Sequence, residues 1–390
     1  MKLSWNHSGS IIDKVRIGRS DSTESYEVLW PTKTFTLTGL TTGLEYGFSV
    51  TAIGTNGTES SPQTILATPT HNISCTETAQ IDEASGQGTN FELKGNHLIT
   101  TVGTGNRSIR ITDLSDPNQP TQVGTDLSLS TPNATWYPRG LILTENKNYG
   151  FFLNSVAKLA VVDVTNVSSP SYGTYVNTLG APMDLAICGN KLFVAAQSYG
   201  LQVFDITTPS TPTLLASKAI SNSYPYGVSC FNDHVYVGTG GTNKPSGLYI
   251  FEVSESGVIT DKGSLVGDSN QWGGRSVSLT EDLLYMAWTN QSKLAIFNTS
   301  DKDNIPSPIL ISDSGDSNTR LSIINNYLFT SKSNGLQILD LFSPSTPQMV
   351  FQWTPGSQMH IAKIFTTNEK KYLVASFNTG PIRICELSGF

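Results

Sequence analysis

The chain contains eight arginines, and three of them, Arg139, Arg275 and Arg320, fall at one recurring place, each opening a strand-like run. Aligning that place along the chain adds Asn90, Asp184, Tyr226 and His360, and the stretches just ahead of it contribute Trp136, Tyr137, Tyr224 and Trp272. A guanidinium is a planar fork of donors matched to carboxylates, and an aromatic ring offers a flat, apolar face. Gathered at one mouth, these groups would form a pocket for a carboxylated sugar or an acidic peptide loop. The structural alternative has the arginines bonding carbonyls and water while the aromatics cap the packing. Of the seven aligned residues only Asp184 is acidic. Glycoside hydrolysis needs two carboxyl groups flanking the bond, so carbohydrate turnover is the weaker expectation.

Other chemistry is sparse. The chain has no GxSxG, HExxH or GxxxxGK[ST] motif, and its five histidines (His7, His71, His97, His234, His360) are scattered over different elements. No CxxC or Cys/His spacing suggests zinc, so neither a metal nor a cofactor is expected. The net charge is −7 with only 14% charged residues, and no Lys/Arg run exists, which argues against a nucleic-acid partner. No stretch of 18 apolar residues offers a membrane-spanning helix. The opening "MKLSWNHSGS" lacks the apolar core of a secretory signal and begins within a strand pattern. Any signal or anchor is therefore expected upstream.

The elements that would position the aligned residues repeat. Residues 200–212 read GLQVFDITTPSTP and residues 335–347 read GLQILDLFSPSTP. The underlying motif, an apolar–x–apolar–x–acidic strand, starts at 109, 159, 201, 248, 294, 336 and 382, at intervals of 42 to 50 residues. That period suits four-stranded propeller blades, and the strict alternation with Gly, Pro and Asn punctuation excludes helical repeats. One unit, APMDLAICGNKLFVAAQSYGLQVFDITTPSTPTLLASK, shows the order: strand, Gly189-Asn190 turn, strand, Tyr199-Gly200 turn, motif strand, Pro-bracketed loop, last strand. The pattern resembles the LVIVD repeat, a β-propeller family common on bacterial surface proteins. Blade four replaces the Pro loop with SESGVITDK, and blade five has Asn298 in place of the acidic residue.

Residues 1–69 read differently. Alternation in KLSWN, KVRIG, TFTLTGL, YGFSVTAIG and QTILATP, separated by turn-forming clusters, indicates short antiparallel strands of a sandwich. The stretch from Leu40 to Ser60 resembles a fibronectin type III module, with Trp5 as an early-strand core tryptophan and Tyr46 as the tyrosine corner. The strand that should precede KLSWN is missing, leaving an edge that another strand could fill.

The expected fold is thus all-β: a fibronectin type III-like sandwich over 1–69 and a seven-bladed propeller over 70–390. The last motif strand ends close to Phe390, so the outermost strand of blade seven is expected from about 70–82. That closure would bring Cys75 beside Cys385 as a disulfide, the alternative being two buried thiols. Cys188 and Cys230, among apolar neighbours, read as buried reduced thiols. The resemblances imply a non-enzymatic, extracellular or cell-surface binding or adhesion protein. Its partner would be a surface protein or glycan, an anionic one included, with the sandwich as spacer. The alternative is a polysaccharide-acting hydrolase or lyase. The binding residues would be Arg139, Asp184, Tyr226, Arg275, Arg320, His360, Trp136 and Trp272.

Overall fold

The computed structural model describes residues 2–5, 12–37, 45–67, 73–82, 90–102, 108–129, 138–154, 158–240, 247–266, 276–280, 282–288, 293–301, 307–311, 320–341 and 347–389. The chain divides into two compact units, Met1–Asn72 and Ile73–Ser388. In the first, a four-stranded sheet runs in the order Ser25–Leu29, Ile12–Arg19, Tyr46–Gly54, Gln63–Ala67, and a two-stranded sheet pairs Lys2–Ser4 with Thr34–Thr36. Alternate residues of these strands, Leu3, Val15, Ile17, Tyr46 and Phe48 with Leu37, form the core. Trp5 packs at its margin, half-buried, and Arg19 lies over the Tyr46 ring.

The second unit holds seven four-stranded antiparallel sheets. In blades 1 to 6 the innermost strands are Phe91–Lys94, Pro138–Leu143, Pro182–Cys188, Tyr224–Phe231, Val277–Leu279 and Leu321–Ile324, and the others follow outward in chain order. Blade 7 takes three strands from the end of the chain, Met359–Thr367 innermost. Its outermost strand, Ser74–Ile81, comes from just after the sandwich and pairs with Ile382–Ser388. The innermost strands touch in an unbroken cycle from blade 1 to blade 7 and back to blade 1, so the ring is closed.

Seven apolar cores lie between successive blades. Phe151 and Leu153 of blade 2 meet Leu192, Val194 and Phe204 of blade 3, while Phe193 and Val203 turn the other way onto Val235 and Val237 of blade 4. Strands buried on both faces need apolar residues at consecutive positions, which is why Leu192 to Ala196 are all buried. Each fully buried Leu, Val or Phe stabilises the ring by about 1.5–3 kcal/mol relative to exposure.

The repeated motif residues have backbone tasks. Asp113, Asp163 and Asp205 accept hydrogen bonds from the amides of Ser115, Thr165 and Thr207 two residues on, at 2.7–2.8 Å. These turns lead each motif strand into its loop. Asn298 does the same for Ser300 at 2.9 Å, so the blade-five departure preserves the acceptor and loses only the charge. The glycine that opens the motif strand is required by crowding. A Cβ on Gly335 would overlap the carbonyl oxygen of Trp353, and one on Gly200, which has φ +78°, that of Lys218.

Both cysteine pairs are disulfides. Cys75 and Cys385 lie on paired strands of blade 7 with Cα atoms 5.4 Å apart. Cys188 and Cys230 are also joined, with Cα atoms 6.2 Å apart, and this corrects their reading as separate reduced thiols. The two residues belong to different repeats. They meet because the innermost strands of blades 3 and 4 lie side by side, a proximity invisible within either repeat.

Candidate functional site

At one recurring level every innermost strand sends a residue into the cores between blades: Phe91, Leu141, Leu185, Val228, Val277, Leu321 and Ala362. Successive strand side chains point to opposite faces, so the positions before and after this apolar level turn away from it, and on several strands they are polar and line the axial cavity. The outer of these two tiers carries Asn90, Asp184, Ser276 and Arg320; the inner carries Glu92, Ser229, Ser278, Ser322 and Lys363. All of them line one axial cavity of about 400 Å³.

Several of these groups stitch the blades together. Lys363 of blade 7 pairs with Glu92 of blade 1 at 2.8 Å. Ser276 accepts a hydrogen bond from the Leu321 amide at 3.0 Å, and Ser322 donates to the Ala362 carbonyl at 3.2 Å. The Oδ2 of Asp184 accepts from the Val228 amide of the next blade at 3.1 Å. His360 Nε2 and Asn90 Oδ1 are 3.1 Å apart across the closing seam.

Charge in the cavity is set by burial. Asp184 keeps some surface toward the channel but is otherwise enclosed, and loss of solvent raises its pKa. The Arg320 charge, then the Val228 and Leu185 amides, work against that rise without cancelling it. Burial, and after it the Arg320 charge, push His360 down to about 3. His360 is therefore neutral and donates from Nε2 to Asn90, whose Nδ2 is left buried without a partner. Among the described residues no group of three or more His, Cys, Asp or Glu side chains could hold a metal.

Asp184, Arg320 and His360 are brought together at this cavity with Asn90. They do not form the single level expected from alignment. A one-residue bulge interrupts the pairing in blades 2, 3, 4 and 7, and the unpaired residues are Arg139, Met183, Tyr226 and His360. Asp184, one residue past its bulge, shares a register with Asn90 and Arg320; Arg139, Tyr226 and His360 stand one residue earlier. Alignment of letters could not see the inserted residue. Tyr226 does not line the cavity. Arg139 has its backbone in the blade 2 strand, while its side chain, together with Trp136, Trp272 and Arg275, lies outside the described residues. Glu92 and Lys363 are cavity residues that the alignment missed. Stepping two positions along each strand from Asn90 and Ile361 would have found them.

No curated protein is significantly similar to the chain. Family models match in both units: a fibronectin type III domain at residues 1–66, and LVIVD repeats at 148–178, 179–218 and 315–354, which fall in blades 2, 3 and 6. No helix in the described residues is long and apolar enough to cross a membrane. With strand order, ring closure and family matches in agreement, the chain is a fibronectin type III domain joined to a seven-bladed β-propeller that carries LVIVD repeats.

Proposed function

We propose that this is a non-enzymatic extracellular binding protein, in which the axial mouth of the propeller engages a surface protein or glycan and the sandwich serves as spacer. The observation that carries the reading is the cavity. Polar side chains from blades 1, 3, 6 and 7 converge there on strands held rigid by apolar cores on either side. Preformed concave sites with a few convergent polar groups are the usual form of a binding site. Two disulfides fit an oxidising compartment outside the cell.

A glycan and surface-protein array probed with the purified chain tests the reading. Arg320→Ala should weaken capture about tenfold or more, the loss of one charge-assisted contact. Arg16→Ala on the sandwich should leave it unchanged. If both variants capture partner like the parent, the binding face lies elsewhere. A polysaccharide hydrolase or lyase has one observation in its favour, that Glu92 joins Asp184 in the cavity. Glu92, however, is already held by Lys363. Release of reducing ends or unsaturated products from polysaccharide would establish that alternative.

A further inference from the structure

The two disulfides differ in what surrounds them. Cys75–Cys385 joins the strands that close the ring, and Cys385 is fully buried among Leu336, Ile338 and Leu373. Cys188–Cys230 instead joins the innermost strands of blades 3 and 4 near their turn ends, and both of its residues are partly exposed. Both also line a cavity of about 760 Å³ that the Gly189-Asn190 and Asn232-Asp233 turns help to bound. Cys188 stands directly opposite Lys191 in the blade 3 hairpin, which puts the two side chains on one face. Lys191 lines the same cavity and pairs at 3.1 Å with Glu255, a fully exposed carboxylate. Water screens a pair of that kind, so the ammonium still favours negative charge on Cys188. Glu145 and Asp233 also line the cavity, which therefore admits an uncharged thiol more readily than an anionic one. The seam has other ties. Phe193, Val203, Val235 and Val237 fill the core between these blades, and Asp184 accepts from the Val228 amide toward the other end of the same strands.

We propose that Cys188–Cys230 is a site of thiol–disulfide exchange, reduced by an uncharged dithiol while the ring stays closed. A thiolate of the dithiol attacks Cys230 Sγ and forms a new S–S bond, and the old bond breaks with its electron pair on Cys188 Sγ. Lys191 stabilises that leaving thiolate, as a neighbouring cation lowers the pKa of a thiol. The second thiolate of the dithiol then attacks the dithiol sulfur of the mixed disulfide and expels Cys230 as a thiolate. The dithiol is oxidised by two electrons to a cyclic disulfide, the protein bridge is reduced by the same two, and the two thiol protons end on Cys188 and Cys230. The equivalent step at Cys75–Cys385 would leave a thiolate on Cys385 inside an apolar core, where the charged form is disfavoured.

Dithiothreitol is the probe. It is added to the full chain well below the melting transition, free thiols are trapped with iodoacetamide at intervals, and the labelled peptides are mapped by mass. Cys188 and Cys230 should take up label about tenfold or more faster than Cys75 and Cys385. Their rate should rise in proportion to dithiothreitol concentration, as direct attack on the folded chain requires. Lys191→Met should slow this labelling about two- to fivefold, the effect of one screened charge on the leaving thiolate, and Lys191→Arg should restore it. Equal melting temperatures of the unreduced variants show that the fold is intact, and the comparison of the two bridges in the parent stands without them. The selectively reduced chain should still melt in one cooperative propeller transition. Equal labelling of all four cysteines would overturn the proposal. So would a rate independent of dithiothreitol concentration, which means that reduction waits for unfolding, or loss of the propeller transition on selective reduction. Lys191→Met reacting as fast as the parent would overturn the step that releases Cys188.

Discussion

Asp113, Asp163 and Asp205 recur at one place in the repeat and carry charge, yet each carboxylate is turned back on its own backbone. Hydrogen bonds to the anion hold all three below the usual carboxylate range, with the hydroxyls of Ser115, Thr165 and Thr207 contributing most. Asn298 shows that the turn needs the oxygen rather than the charge. Asp205→Asn should therefore change stability by no more than about 0.5 kcal/mol. Asp205→Ala, which leaves the Thr207 amide without its acceptor, should cost about 0.5–2 kcal/mol, by analogy with lost capping residues. Urea unfolding of the two variants separates the cases, and equal losses would show that charge matters. His360 makes a second residue-scale prediction. Its ordinary value is 6.5 and burial, with the Arg320 charge, brings it to about 3, so between those limits the unfolded chain binds a proton that the native one does not. Stability contributed by neutral His360 is thus complete above about pH 6.5 and is lost as pH falls toward 3. Asp184, with its raised pKa, has the opposite slope, its contribution falling as pH rises through that value. The comparison must therefore be between variants: melting temperatures of the parent and His360→Gln should converge as pH falls from 7 to 4. Parallel curves over that range would reject the assignment.

At the scale of elements, what was legible in the sequence is what lies within one repeat. Alternating apolar residues, Gly-Asn turns and the GLQVFD and GLQILD openings each answer to a force inside the blade: burial on two faces, a hairpin with φ +55° at Gly189, and backbone crowding at Gly200 and Gly335. Closure of the ring was legible too, because a three-stranded blade at the end of the chain leaves an edge and Ser74–Ile81 can fill it. What escaped lies between blades. The Cys188–Cys230 bridge and the Glu92–Lys363 pair join innermost strands of neighbouring blades, whose relative height no single repeat specifies. The bulges escaped for a related reason. An unpaired residue such as Met183 shifts Asp184 by one register while leaving the apolar alternation downstream intact, so the pattern of letters is the same with or without it. The site was therefore legible as a set of strands and only partly as a set of side chains.

For the whole molecule, closure is the property that no single blade possesses. Among the described residues, the sandwich core contains no propeller residue, and none of the seven cores between blades contains a sandwich residue. A boundary between folding units therefore falls just before Ile73. The strand immediately after it belongs to the far end of the chain. Cys75 is bonded to Cys385 across 310 residues, and Glu77 to Arg383 at 2.9 Å, while Ile81 and Ala79 pack in the core between blades 7 and 1. Deleting residues 1–69 should leave the propeller's melting transition where it is in the full chain. Deleting residues 1–81 should lower it, by the disulfide's contribution of about 2–5 kcal/mol together with the burial lost along Ile382–Leu387. It should also free the Cys385 thiol for alkylation. The exposed edge of Ile382–Ser388 would then offer unpaired amides and carbonyls to another chain, so the shorter protein should associate as its concentration rises. Sedimentation of both deletions, with melting followed in parallel, is the measurement. Equal melting temperatures and equal masses would mean that the ring does not depend on its closing strand.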